Sequence, residues 1–273
     1  MLGGANHNSG GIDMDLKLSG KRVLVTGGNS GLGAAMVRAF AAEQARVAIN
    51  YVVHPEQTTQ LAGELRAGGA EVLALAADVS EADAVAGMFQ QLDAAWGGID
   101  VLVNNAGIDG ARAMAWEADT AAWTRVLQIN LCGAFLCARE ALKRMVQQRS
   151  GVIINTSSVH ELIAWSGYSA YCASKAGLSM LSRTLAQEAG EHGVRVLCIA
   201  PGAIRTPINA DVWQDAAGKQ DLISKIAIGR VGEPQDVAGM AVVLASDVAG
   251  YVTGSSVFVD GGMTDYPAFS HGG

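Results

Sequence analysis

KRVLVTGGNSGLGAAMVRAFAAEQA, residues 21–45, sets a short run of Val and Leu directly before a glycine turn and a stretch of helical composition. A brief, wholly apolar run suits a strand covered on both faces, and the Ala-rich stretch that follows suits a helix. The turn between them, TGGNSGLG (26–33), carries Gly27, Gly31 and Gly33. Glycine permits positive φ and close approach to the backbone. A helix starting there aims free N–H groups and the positive end of its dipole at the turn, which suits a pyrophosphate. The spacing is G-x-x-x-G-x-G rather than the general dinucleotide fingerprint G-x-G-x-x-G, and Ala34 stands where a P-loop needs Lys. The stretch reads as strand, nucleotide-binding turn and helix, and it argues against a nucleotide triphosphatase.

The same alternation continues outward. RVAINYVV (46–53), AEVLALAADV (70–79), IDVLVNNAG (99–107), GVIINTSS (151–158), VRVLCIAPG (194–202) and SSVFVDGG (255–262) read as further strands. Helices are predicted over 31–45, 56–69, 81–98, about 117–149, 169–190 and 234–246. Strands alternating with helices imply right-handed crossovers and a parallel sheet. The predicted fold class is α/β: a single-domain doubly wound (Rossmann) parallel sheet with helices on both faces. The domain is taken as 17–273. Residues 1–16 are expected to be a flexible N-terminal tail, Gly- and Asn-rich, without the basic start or apolar core of a signal peptide.

Composition narrows the function. The 273 residues are 50% hydrophobic and 16% charged, enough for one large core. A net charge of -7 offers no basic face for nucleic acid. No apolar run reaches the ~18 residues of a membrane span, so no membrane partner is expected. Cys132, Cys137, Cys172 and Cys198 form no C-x-x-C pair, and the five histidines are scattered. No metal site is predicted, and reduced thiols point to a cytoplasmic protein.

The glycine turn resembles the T-G-x-x-x-G-x-G of the short-chain dehydrogenase/reductase family. Other segments match in order: Asp78-Val79 after the third strand, Asn104-Asn105-Ala106-Gly107 after the fourth, and Pro201-Gly202 with Thr206 after the sixth. The resemblance covers about residues 17–267. It implies an NAD(P) cofactor, with NAD versus NADP undecided. The implied contacts are Gly27, Asn29, Ser30, Gly31, Leu32, Gly33, Tyr51, Asp78, Val79, Asn105, Ala106, Gly107, Tyr171, Lys175, Pro201, Gly202, Ile204 and Thr206. The loop after the second strand has neither the acid that selects NAD nor an Arg for the 2′-phosphate of NADP, and Val52 stands where relatives carry Arg.

SGYSAYCASKAG (166–177) holds two tyrosines, and spacing separates them. Tyr171 lies four residues before Lys175, on one helix face, and thirteen after Ser158. Tyr168 fits neither spacing and is expected to pack or to line the substrate entrance. The family pattern is Y-x-x-x-K with that serine, plus an Asn in the long helix matched by Asn130. The resemblance therefore implies a catalytic set of Asn130, Ser158, Tyr171 and Lys175. A phenol titrates near pH 10, and an adjacent ammonium and a cationic nicotinamide favour its ionised form. Tyr171 is then a general acid/base for alcohol oxidation or carbonyl reduction, with Ser158 holding the substrate oxygen.

VHELIAW (159–165), AIRTPIN (203–209) and DGGMTDYPAF (260–269) resemble the bacterial glucose 1-dehydrogenase branch. That resemblance implies oxidation of an aldose at C1 to the lactone, with Asp109, Ser158, His160, Glu161, Tyr171 and Asn209 as substrate contacts, and it implies a homotetramer. Two alternatives remain at this point: a reductase of another carbonyl such as a 3-oxoacyl thioester, and a non-catalytic cofactor-binding regulator.

Overall fold

Short runs of Val, Leu and Ile form strands that are covered on both sides: Val23, Leu24 and Val25 have no accessible surface, nor do Ile153 and Ile154. The computed structural model describes residues 15–206 and 216–265. Within them one parallel sheet comprises β1 (Arg22–Val25), β2 (Arg46–Tyr51), β3 (Val72–Ala76), β4 (Val101–Asn104), β5 (Gly151–Thr156), β6 (Val194–Pro201) and β7 (Ser256–Val259). The order is β3-β2-β1-β4-β5-β6-β7, and every adjacent pair is parallel. The α/β doubly wound reading is therefore borne out. The order reverses direction between β1 and β4, where such sheets open a crevice at their carboxyl ends.

The helices are α1 (Gly31–Ala42), α2 (Pro55–Ala67), α3 (Ala82–Trp96), α4 (Thr120–Leu127), α5 (Ala134–Gln148), α6 (Ser169–Ala189), α7 (Ala216–Ser224) and α8 (Pro234–Ala245). Two apolar layers sandwich the sheet. One joins Val23, Val25 and Ile49 to Met36, Val37 and Phe40 of α1, Leu61 of α2 and Val237 and Ala241 of α8. The other joins Leu24, Leu102 and Ile153 to Phe89 and Leu92 of α3, Cys137 and Met145 of α5 and Leu185 of α6.

Three differences from the sequence reading have physical causes. Helix α7 follows a polar stretch with little amphipathic pattern, so periodicity does not reveal it. The strands are shorter than predicted, because their last residues leave the ladder to build the turns at the carboxyl rim. The predicted helix over 117–149 is wound at Gln128–Gly133 as a π-helix between α4 and α5. This 29-residue stretch, Thr120–Gln148, is the one described helix long and apolar enough to cross a membrane. Its Val126, Ala134, Cys137, Ala138, Ala141 and Met145 are buried in the protein, so one face of it packs into the fold.

The opposite end of the sheet is clamped by Arg22 and Asp100. The Arg22 backbone N–H and Nε donate to Asp100 Oδ2 at 2.8 and 2.9 Å, and Nη2 donates to Oδ1 at 2.7 Å. Burial alone would raise the Asp100 carboxyl, but these bonds outweigh it and hold the group below the usual range. A depressed native pKa contributes stability that is present above the unfolded value and lost as pH falls through the native one. Asp100→Asn is expected to cost about 2 kcal/mol at pH 7. Urea unfolding should show that gap closing only below about pH 4; a gap that persists unchanged in acid would contradict the charge-based clamp.

Candidate active site

The β1–α1 turn is shaped for an anion. Gly27 and Gly31 have φ of 58° and 51°, in the left-handed region. A Cβ on Gly33 would collide with the Gly27 carbonyl oxygen and lie 2.6 Å from Asn105 Nδ2. Ser30 caps α1 without a side-chain hydrogen bond, and the first turn carries no acid. The N–H groups and dipole of α1 are thus left uncapped and uncompensated at the turn, so the residues present fit a pyrophosphate.

Thr26, which the sequence reading passed over, fixes this turn to the end of β4. Its Oγ1 accepts from the backbone N–H of Asn105 at 2.9 Å and of Ala106 at 3.0 Å. Asn105 in turn donates from Nδ2 to the Thr26 and Gly27 carbonyls at 3.0 and 3.1 Å. Its side chain is spent on the backbone, and its own N–H and that of Ala106 are spent on Thr26.

At the adenosine end, Asn29 donates to the Val53 carbonyl at 2.8 Å and ties the β2 loop to the glycine turn. Tyr51 is half-buried at the end of β2. Val52 and Val53 are 58% and 61% exposed, with only His54, 3.3 Å from Glu56, as a nearby imidazole. Val79 is buried, whereas Asp78 is engaged: Oδ1 accepts from Ser80 N and Oγ at 2.9 and 2.6 Å, and Oδ2 from Arg125 at 2.9 Å. Burial would raise the Asp78 carboxyl, but the Ser80 and Arg125 contacts hold it low and charged. Arg125 carried no sequence signal, being a lone Arg in a helix.

β5 delivers Ser157 and Ser158, and α6 delivers Tyr171 and Lys175. The Ser158 hydroxyl acts on the Tyr171 phenol and lowers its pKa, and its Oγ accepts from the His160 N–H at 3.2 Å. Ser157 donates to the Lys175 carbonyl at 3.3 Å, a backbone-satisfying role that the sequence had suggested. Lys175 is buried; its Nζ donates to the Thr156 carbonyl at 2.8 Å and lies 5.5 Å from the Tyr171 ring centre. Asn130 sits inside the π-helical turn and grips the loop after β4. Its Oδ1 accepts from the Ile108 N–H at 2.8 Å, and its Nδ2 donates to the Ile108 carbonyl at 2.8 Å and to Ser174 at 3.1 Å. A Cβ on Gly107 would lie 3.2 Å from Asn130 Oδ1 and 3.7 Å from Lys175 Nζ, so that glycine keeps a slot open beside the ammonium.

Burial opposes the ionised form of the phenol. Without further positive charge nearby, burial dominates and pushes the Tyr171 phenol up; the Ser158 hydrogen bond opposes this and Asp109 adds to it. Burial also lowers Lys175, to about 8, against the charges of Asp109, Cys198 and Glu161. Lys175 alone does not bring the phenol down. Asp109 is itself raised by burial, tempered by Lys175 and His160, and so belongs to the same charge cluster.

Beside Tyr171 stands an aromatic wall absent from the sequence reading. The Trp165 ring stacks on Tyr168 at 3.8 Å and on His160 at 4.5 Å, and it meets Tyr171 edge-on at 6.0 Å. Leu162, next to it, is 66% exposed. Tyr168 packs in this wall. The His160 ring is lowered by burial and its Nδ1 lies 3.0 Å from the Ile163 carbonyl. Glu161 is placed apart from the other proposed sugar contacts, taking a hydrogen bond from Ser179 at 3.1 Å. Asn209 lies outside the described residues. Pro201 ends β6, Gly202 packs against Asp260, where a Cβ would come within 2.8 Å, and Ile204 is buried beside half-buried Thr206. Among the described residues no cluster of His, Cys, Asp and Glu could hold a metal.

A family model described as enoyl-(acyl carrier protein) reductase matches residues 27–264. The chain is 45% identical to a 3β-hydroxysteroid dehydrogenase of Eggerthella lenta, over 93% of this chain and 98% of that one. It is 36% identical to glucose 1-dehydrogenase 2 of Bacillus subtilis, over 92% and 97%. A crystal structure of a gluconate 5-dehydrogenase from Burkholderia cenocepacia with NADP and tartrate superposes with a TM-score of 0.88, at 32% identity over 92% of this chain and 98% of that chain.

Val52, exposed after β2, offers no cation to a 2′-phosphate. Val52→Arg is expected to raise kcat/KM with NADP relative to NAD by roughly tenfold or more, the value of a charge-assisted contact. Steady-state kinetics with both cofactors measure it, and an unchanged ratio would place the 2′ position elsewhere.

Proposed function

The chain belongs to the short-chain dehydrogenase/reductase family and is an NAD(P)-linked oxidoreductase, and from that membership we propose that it interconverts a secondary alcohol on an apolar, alicyclic ring and the corresponding ketone, a 3β-hydroxysteroid being the leading class. The observation that carries the ring reading is the His160–Trp165–Tyr168 stack set edge-on to Tyr171. A flat apolar ring buries surface against such a wall while its hydroxyl reaches Tyr171 and Ser158. The 45% identical relative is named for a substrate of this kind.

When bound, NAD(P)+ supplies the hydride acceptor and a positive ring charge. The glycine turn, Asn29, Ser30, Leu32, Tyr51, Asp78, Val79, the main chain of 105–107 and the Pro201–Thr206 segment would hold it. Ser158 Oγ orients the substrate hydroxyl. Tyr171 Oη takes the hydroxyl proton in oxidation and returns it in reduction. Lys175 keeps a positive charge beside that phenol, and Asn130 fixes the loop that carries Gly107 and Asp109. Burial raises Tyr171 and the positive ring of a bound cofactor would oppose that, so its base form gains with pH, while Lys175 loses its charge above about 8. The oxidation rate is therefore expected to climb into the mildly alkaline range and then fall.

Oxidation of glucose at C1 is the second reading, favoured by Asp109 and His160 within the charge cluster at Tyr171 and by the glucose 1-dehydrogenase relative. Against it, Glu161 is held by Ser179, and the His160 ring nitrogen faces the Ile163 carbonyl. A cytoplasmic homotetramer is part of the proposal. All four cysteines are unpaired, and Phe135 of α5 and Met180 of α6 stand exposed as a self-association face would require.

A panel of 3β-hydroxysteroids, cyclohexanols, glucose and a 3-hydroxyacyl thioester, each with NAD+ and NADP+, tests the reading through absorbance of the reduced cofactor. Turnover of the cyclic alcohols above glucose is expected; the reverse order would overturn the ring assignment. Tyr171→Phe is expected to lower kcat by roughly 10²–10⁴-fold with cofactor binding intact, whereas Tyr168→Phe keeps most activity.

A further inference from the structure

Glu161 is one residue past His160 of the aromatic wall, yet its carboxylate is engaged behind α6. Its Oε1 accepts from Ser179 at 3.1 Å, and Ser179 Oγ lies 3.3 Å from Ser256 Oγ of β7. Its Oε2 is buried with no hydrogen-bond partner. A carboxylate oxygen buried without a donor is costly unless a cation compensates it. The available cation is Lys175, which precedes Ser179 by one turn on the same face of α6; both are buried. Lys175 Nζ has the Thr156 carbonyl, a neutral acceptor, as its hydrogen-bond partner. The ionisable groups facing it are Asp109 from the loop after β4, Glu161 from the turn after β5, Cys198 from β6 and Tyr171 from α6 itself. Cys198 is pushed up to about 11 by burial and stays a neutral thiol at physiological pH. The carboxyl groups that act on Lys175 are therefore two: Asp109 within the charge cluster at Tyr171, and Glu161 against Ser179.

We infer that Glu161 is a positioning residue for Lys175: its carboxylate, fixed by Ser179, holds the buried ammonium charged and so sets the alkaline limit of the reaction. The assignment rests on the dehydrogenase reading of the site. It separates the adjacent residues His160 and Glu161 into different tasks, one in the substrate wall and one in the charge state of the lysine.

Glu161→Gln removes the charge while keeping shape and an acceptor for Ser179. In the full-length enzyme, kcat/KM is measured against pH for the wild type, E161Q and E161D. The alkaline limb of E161Q is expected to move about one pH unit lower, with activity at neutral pH within about twofold of wild type, and E161D is expected to restore most of the shift. A profile that superimposes on wild type, or one lowered equally at every pH, would overturn the assignment. Competitive labelling of Lys175 with acetic anhydride, read by peptide mass spectrometry, gives the same shift without turnover. If the wild type oxidises no alcohol but labelling of E161Q moves, the dehydrogenase reading fails and the Glu161–Lys175 coupling stands. If turnover is normal and labelling does not move, the coupling fails.

Discussion

In a parallel sheet all strands end at one rim, and each end must hand its chain to a turn whose polar groups need partners. The site follows from meeting that requirement. Thr26 answers it for β1 and β4 together, with one hydroxyl accepting two backbone N–H groups from the far side of the switch point. Asn105 returns the bonds to the Thr26 and Gly27 carbonyls. Because these neighbours satisfy the turn from behind, the N–H groups at the start of α1 remain unspent at its front. A polar residue capping that helix would stabilise it and abolish the anion cradle.

A second consequence of the rim is that charge is gathered where water is scarce. Lys175 is held by a single carbonyl and loses affinity for its proton through burial, while Tyr171 gains affinity for its own by the same cause. The two shifts move the groups apart: the lysine falls into the mildly alkaline range, and the phenol rises away from it. Asp109 and Glu161 lean on the lysine, and Ser158 leans on the phenol. A proton-handling pair of this kind is tunable by neighbours that never meet the substrate.

The sheet and the glycine turn were legible because they depend on local composition: apolar runs of strand length, and glycines where a side chain would collide. Tyr171 was legible over Tyr168 because its partners sit at fixed spacings on one helix and one strand end. Other features depend on contacts that no local pattern carries. Thr26 bonds to residues 79 and 80 positions away, and Arg125 reaches Asp78 across 47. Glu161 followed a substrate-lining neighbour in sequence, but a short 3-10 turn rotated it toward Ser179 instead. Trp165 read as one apolar residue in a loop; its role emerges only when Tyr168 and His160 close on its two faces.

The π-helical turn at Gln128–Gly133 has a bearing beyond the asparagine it holds. One wider turn re-phases the helix, so the faces of α4 and α5 no longer align. α4 can then lie along α6, while α5, downstream of the shift, lies on β4 and β5. The extra residue acts as a gear tooth between two surfaces that a regular helix of the same length would force into a single stripe. Deleting it would restore ordinary helical geometry, and the cost would be borne in packing by one half or the other. The long helix is in this sense two helices sharing an axis, and its irregularity is what lets a scaffold element and a site element be one piece of chain.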